Sequence, residues 1–549
     1  MTGGRQLTLR AAVAGMALGG VLCLSNLYVV LKTGWSLGVT ITATLVAFAA
    51  FRGLQAVFGG SRFGPLESVS VASIASSGAW MTGGGNMAAL PALLLLTGER
   101  PSGWAMVAWF ALIASLGVVV AIPLRRQFLE RERLPFPMSV ATAESIRAMH
   151  ATGDVAPARR LLRAALGAGV FTLLRDAKLG IPSRLTFAPL STFGFGLDAS
   201  VVLLGGGSLM RPRTAWSMVL GAVVTSGLLA PIALAHGLLP SADFKAIVQL
   251  SLWPAAAMLT TSALTSFALQ FTKTLRSARA PFEVDRRWLL AFFGLGAPLV
   301  VLMWRLFGIP LWAGLAAMPL AALVGMIGAR VTGETDITPT KAMGPLTQLL
   351  FGAALPGALT ANVMGANVTA GVGLHAADLL SDLKTGEVLG ADTKSQIRAQ
   401  FLGIVVGALA VVPAFNALVP DASVLGSDAL PAPAVMVWAG VSRALAGGLG
   451  ALPRAALVAM AVGGALGVLL SALEARLTPR WQRFLPSPSA FGIAMVLPAA
   501  TSLTMALGAA LGLLAKRRYD EQTRTPVASG LIAGESVTSV VIALVRTIL

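Results

Sequence analysis

Hydrophobic segments of bilayer length, nearly free of charge, follow one another along all 549 residues of this chain. Residues 12–31, 39–58, 103–124 and 455–473 each hold at most one charged residue. A helix of about 20 such residues crosses the hydrocarbon core of a bilayer. Charged residues make up only 12% of the chain, about half of what a soluble surface of this size needs. The longest polar stretch, residues 125–159, is loop-sized rather than domain-sized. The pattern predicts an all-α polytopic membrane protein with about 14–16 transmembrane helices, some broken or re-entrant. Function is then sought among the polar residues tolerated inside the bilayer.

The formal net charge of +18 is confined to short gaps between these segments. Arginines run from Arg125 to Arg163, and further clusters are Arg211/Arg213, Lys273–Arg287 and Lys516–Arg524. Cytoplasmic loops collect such residues, which places the N-terminus and these clusters on the cytoplasmic side of the inner membrane, facing anionic lipid. Arg175–Arg184 and Arg476–Arg483 fall on the wrong side of that assignment. No aromatic–basic module accompanies the charge, so a nucleic-acid partner is not expected. The single cysteine, Cys23, excludes an internal disulfide and a multi-cysteine metal site, and no cofactor is expected. The opening apolar run lacks a small-residue cleavage site and reads as a retained signal anchor.

Short anchors recur in the same order in two halves. Gly64-Pro65-Leu66 matches Gly344-Pro345-Leu346, Asn86 matches Asn367, Leu134-Pro-Phe-Pro137 matches Leu430-Pro-Ala-Pro433, and Phe193-Gly194 matches Phe491-Gly492. A tandem duplication follows, with one half over 1–245, a connecting helix and loop over 246–287, and a second half over 288–549. The span count makes the repeats parallel. Repeated halves around a central path are a secondary-transporter architecture.

Glycine–asparagine clusters interrupt matching spans around Gly83-Gly84-Gly85-Asn86 and around Asn362, Gly365 and Asn367. A helix broken inside a bilayer exposes backbone groups that are tolerated only where they line a cavity or protein interior. Gly84, Asn86, Asn362, Asn367 and His375 are therefore candidates for substrate contact, against the plainer reading of helix packing. Asp198 and Glu535 lie within hydrophobic stretches, have glycine neighbours and lack a basic partner in their own span. A carboxylate there must be paired, hydrated or neutral, and the neutral form can carry a proton. Glu334, Asp336 and Asp378 are candidates for gating or cation contact, with helix capping as the plainer reading. His375 and Asp378 share a helical face but make too few ligands for a metal site.

Several runs resemble the oligopeptide transporter family, which includes the yellow-stripe-like carriers of metal chelates. They are Asn26-Leu-Tyr28, Lys32-Thr-Gly-Trp35, Gly333-Glu-Thr-Asp-Ile-Thr-Pro339, Gly344–Gly352, Ala376–Gly386 and Gly530-Leu-Ile-Ala-Gly-Glu535, with Leu134–Pro137 between them. Met138 stands where an acidic residue is expected after that last motif. The resemblance implies proton-coupled import of small peptides or peptide-like metal chelates, with no enzymatic activity. Its partners are then that substrate, protons and surrounding lipid; a homo-oligomer is compatible with the sequence. A passive channel is the rival reading; it is disfavoured because the carboxylates are scattered rather than arranged as a ring of pore residues.

Overall fold

The computed structural model describes residues 6–548 apart from 37–39, 60, 84, 178–180, 188–189, 278–284, 336–337, 339 and 448–451. The chain opens with α1 (Leu9–Thr33), α2 (Thr40–Phe58), α3 (Pro65–Ala79), α4 (Asn86–Thr97), α5 (Gly103–Arg125), α6 (Pro137–Thr152) and α7 (Ala156–Asp176). It continues with α8 (Val201–Ser208), α9 (Pro212–Ala222), α10 (Ala230–Ala235) and α11 (Phe244–Ser277). Next are α12 (Arg286–Phe307), α13 (Leu311–Thr335), α14 (Thr340–Ala354), α15 (Leu359–Leu389), α16 (Thr393–Leu418) and α17 (Pro433–Gly447). After these come α18 (Arg454–Arg476), α19 (Pro479–Gln482), α20 (Pro488–Ala494), α21 (Ala499–Lys516) and α22 (Glu521–Ile548).

Among the described residues, 12 helical stretches are long and apolar enough to cross a membrane. Fewer qualify than the span count because α8, α14, α17 and α20 are short, while α7 and α15 carry charges. Helix α15 is the hub of the molecule: nearly every side chain from Ala361 to Gly386 is buried by the helices around it. The outer helices are built the other way round. On α18 the buried residues are Gly463, Gly464, Gly467 and Ser471, while Val458 and Val462 point outward. A Cβ at Gly463 or Gly467 would collide with the backbone of α11, so these glycines allow close contact while apolar side chains face lipid.

The first expected break is present. Helix α3 ends in a tight 3-10 turn over Trp80–Thr82, and α4 restarts at Asn86 behind Gly85, whose φ of 85° disfavours any residue with a Cβ. The second is displaced. The chain breaks over 355–358, and α15 then runs without interruption through Asn362 and Asn367. Pro356-Gly357 supplies the stop; the downstream glycines allow packing, Gly365 against Phe351 and Gly373 against Met343.

The parallel-repeat expectation is overturned by the orientation of matched elements. Arg100, just before α5, donates to the carbonyls of Val419 and Pro420 at the end of α16, so α5 and α16 are antiparallel neighbours. The matching Leu-Pro-x-Pro turns that follow them therefore lie on opposite faces. Each turn clasps the other half. Phe136 N–H donates to Gly333 O at the end of α13, and Ala432 N–H donates to Leu31 O at the end of α1. Both residues hold positive φ, 40° and 44°, a strained conformation outside glycine.

The two basic stretches that seemed misplaced also resolve. Arg160 bonds Thr523, Gly512 packs on Ser208 O, and Arg213 bonds Glu474 and Leu485 O, so Arg476–Arg483 shares the face of the other basic loops. Arg175 and Arg184 do lie towards the opposite face, but each is paired with carboxylates.

Candidate functional site

Several interior polar groups are held by hydrogen bonds, which a low-dielectric setting favours. Asn86, at the first turn of α4, accepts from Asn367 Nδ2 of α15 at 2.7 Å. Its own Nδ2 donates to Met81 O at 2.8 Å, and Trp109 Nε1 of α5 donates to Asn367 Oδ1 at 2.8 Å. Both asparagines are fully buried. The two residues matched in sequence thus meet, joined by an indole that sequence reasoning missed.

Asn362 forms a second node. It donates to Gln348 O, and its oxygen accepts from Ser442 Oγ, joining α14, α15 and α17. The Trp438 ring fills the gap beside it, against Gly85 and Gly344, where a Cβ would overlap the indole. Gly84 and Asp336 lie outside the described residues. Glu334 is exposed and bonds Arg330, which also pairs with Glu132.

The two carboxylates expected to be unpaired are not. Glu535 is fully buried but accepts from Arg175 Nη1 at 2.8 Å, Ser200 Oγ at 2.9 Å and Val202 N–H at 2.8 Å. Asp198 lies on a two-stranded hairpin, Arg184–Thr186 against Gly196–Asp198, rather than in a membrane helix. It accepts from Arg184 Nε at 2.7 Å and Thr501 Oγ1 at 2.7 Å, and Arg184 also holds Asp428. Their cations come from other elements, which a search within one span could not find.

The unpaired carboxylates are elsewhere. Asp378 and Asp382, one turn apart on α15, are both buried, and Gln400 Nε2 of α16 donates to both, at 3.3 and 2.7 Å. Asp378 therefore faces the interior rather than the surface. One turn back, His375 is fully buried and neither ring nitrogen has a hydrogen-bond partner. The like-charged i, i+4 spacing was visible in the sequence, but Gln400 carried no signal there.

Cavities open at both ends of the molecule. One of about 230 Å³ is lined by Arg184, Asp243 and Asp428; the other, about 270 Å³, by Arg125, Glu130, Leu383 and Glu387. Neither is lined by Asn86, Asn367 or His375.

A buried polar helix wrapped by helices long and apolar enough to cross a membrane points to a membrane protein, and family comparison decides its kind. The family described as OPT oligopeptide transporter protein matches residues 6–546. The chain belongs to this oligopeptide transporter family. It is a multi-pass membrane protein. The maize (Zea mays) iron-phytosiderophore transporter yellow stripe 1 is 24% identical, over 97% of this chain and 89% of its own. A Saccharomyces cerevisiae protein with the provisional name of oligopeptide transporter is 23% identical, over 98% of this chain and 95% of its own. A rice (Oryza sativa subsp. japonica) iron-phytosiderophore transporter is 24% identical, over 97% and 90%. For an OPT member, the packed centre between two opposed cavities is the region to test for substrate passage.

Proposed function

We propose that this protein is a proton-coupled secondary transporter that imports small oligopeptides or peptide-like metal chelates across the inner membrane. The reading is carried by the family match over nearly the whole chain, with relatives named for oligopeptide and iron–phytosiderophore transport. The buried Asn367–Asn86 bond supports a carrier over a passive channel, since it ties α4 to α15 at a packed position that lines neither cavity. The asparagine amides both donate and accept, which suits a zwitterionic or chelate substrate once they part. Antiparallel α5 and α16 support inverted halves that rock about this contact, exposing it to each cavity in turn. In this scheme the N-terminus and the basic loops face the cytoplasm.

The test is uptake of zinc–nicotianamine and of tetra-alanine into vesicles containing purified protein. A coupled carrier accumulates one of them above its external concentration under an inward proton gradient, and a protonophore abolishes the accumulation. Uptake that only equilibrates, with or without the gradient, identifies a channel.

A further inference from the structure

The geometry points to a single proton shared between Asp378 and Asp382, and we propose that this is the proton exchanged during transport. The second half of that statement rests on the coupled-carrier reading above; the first does not.

Two carboxylates one turn apart, 7% and 4% exposed, cannot both stay ionised without a cation, because like charges repel strongly where water is excluded. Among the described residues, the neighbouring groups supply donors rather than a cation. Ser76 Oγ of α3 donates to Asp378 Oδ1 at 2.7 Å, and Gln400 Nε2 bridges the pair. These donors occupy lone pairs that a metal cation would need. A proton needs only one.

Gln400 gives the independent sign. It is fully buried with its amide seated between the carboxylates, yet its oxygen has no hydrogen-bond partner. Turned over, the amide would place that oxygen against Asp382, where only a protonated carboxyl could donate to it.

The charged groups on the surrounding elements are engaged elsewhere. On α3, Glu67 pairs with Arg10; on α6, Arg147 pairs with Glu144 and His150 bonds Ser68. On α15 itself Lys384 pairs with Glu387, and on α16 Lys394 and Arg398 are exposed. Arg125 of α5 pairs with Glu130, and Arg330 of α13 with Glu132 and Glu334. On one side, Leu383, next to Asp382 in the chain, lines the cavity that also contains Arg125 and Glu387. On the other side, unpartnered His375 stands one turn from Asp378 along the same helix.

Infrared spectroscopy of the full-length protein in lipid vesicles tests the shared proton without a substrate. We expect a protonated-carboxyl C=O band at neutral pH that disappears on titration to alkaline pH. Asp378→Asn and Asp382→Asn should each remove it, because the remaining carboxylate no longer meets a like charge. Gln400→Met, which keeps both aspartates, should retain the band at a shifted frequency and serves if the aspartate variants do not fold. Absence of the band in wild type, or its persistence unshifted in all three variants, overturns the proposal. For coupling, both aspartate variants should retain exchange of labelled zinc–nicotianamine or tetra-alanine across the membrane while gradient-driven accumulation falls to the equilibrium level. Accumulation that survives in both variants removes the coupling role. A wild type that shows the band but no proton-driven uptake of either compound defeats the coupled-carrier reading and leaves the shared proton standing.

Discussion

Asn367 donates to Asn86 across 2.7 Å, so the residues matched between the two halves are bonded to one another at the buried centre of the molecule. Removing one partner strands the other in a dry environment, at a cost of about 1–3 kcal/mol. Asn86→Leu and Asn367→Leu should each lower substrate affinity by more than they lower the yield of folded protein. The comparison is a binding titration with zinc–nicotianamine beside a size-exclusion profile. Equal losses would assign the pair to packing alone.

Arg175 and Glu535 form a buried ion pair, with side chains 10% and 0% exposed. Removing one charge leaves the other uncompensated, which typically costs about 3–5 kcal/mol, whereas an apolar replacement of both is far better tolerated. Arg175→Leu should therefore lower the unfolding midpoint in detergent strongly, and Arg175→Leu with Glu535→Leu should recover most of the loss. A double variant no better than the single one would rule out an uncompensated charge as the cause.

Topology yields to labelling. With Cys23, the single cysteine, replaced by alanine, single cysteines are introduced at Asp154, after the first Leu-Pro-x-Pro turn, and at Ser427, just before the second. An impermeant maleimide added to intact cells should modify the Ser427 position and spare the Asp154 position. Modification of both from outside would contradict the opposed faces.

His150 of α6 sits against Ser68 Oγ at 2.8 Å, and burial holds its imidazole below the usual range. The unfolded chain then takes up this proton at a higher pH than the folded one. Stability should rise as pH increases from the folded value towards the ordinary value of about 6.5, and level off above it. His150→Gln should flatten that acid limb in a melting series. An unchanged limb would place the acid sensitivity elsewhere.

Much of this was legible in the residues. Charge-free runs gave the membrane helices, and Asn86 with Asn367 was a true pairing because each asparagine recurs behind glycines in the two halves. The inversion was not legible, because a parallel or antiparallel relation hangs on one span, and α7 and α15 hide theirs beneath arginines and aspartates. Asp198 and Glu535 looked unpaired because their arginines arrive from a hairpin and from α7, contacts that no window along the chain can reveal. Asp382 was in view, but its meaning waited on Gln400, an ordinary polar residue until its amide is seen between two acids.

The reciprocal clasp of the two turns has a consequence for how the molecule is made. Lys32, beside Leu31 at the end of α1, finds its partner Ala429 only after another 397 residues have been added. At roughly 5–20 residues per second, the ribosome needs about 20–80 seconds to deliver them. Throughout that interval the end of the first helix waits in the insertion machinery or the bilayer without its native contact. Truncated or separately expressed halves should therefore be prone to degradation, and co-expressing them is the way to restore the missing clasp.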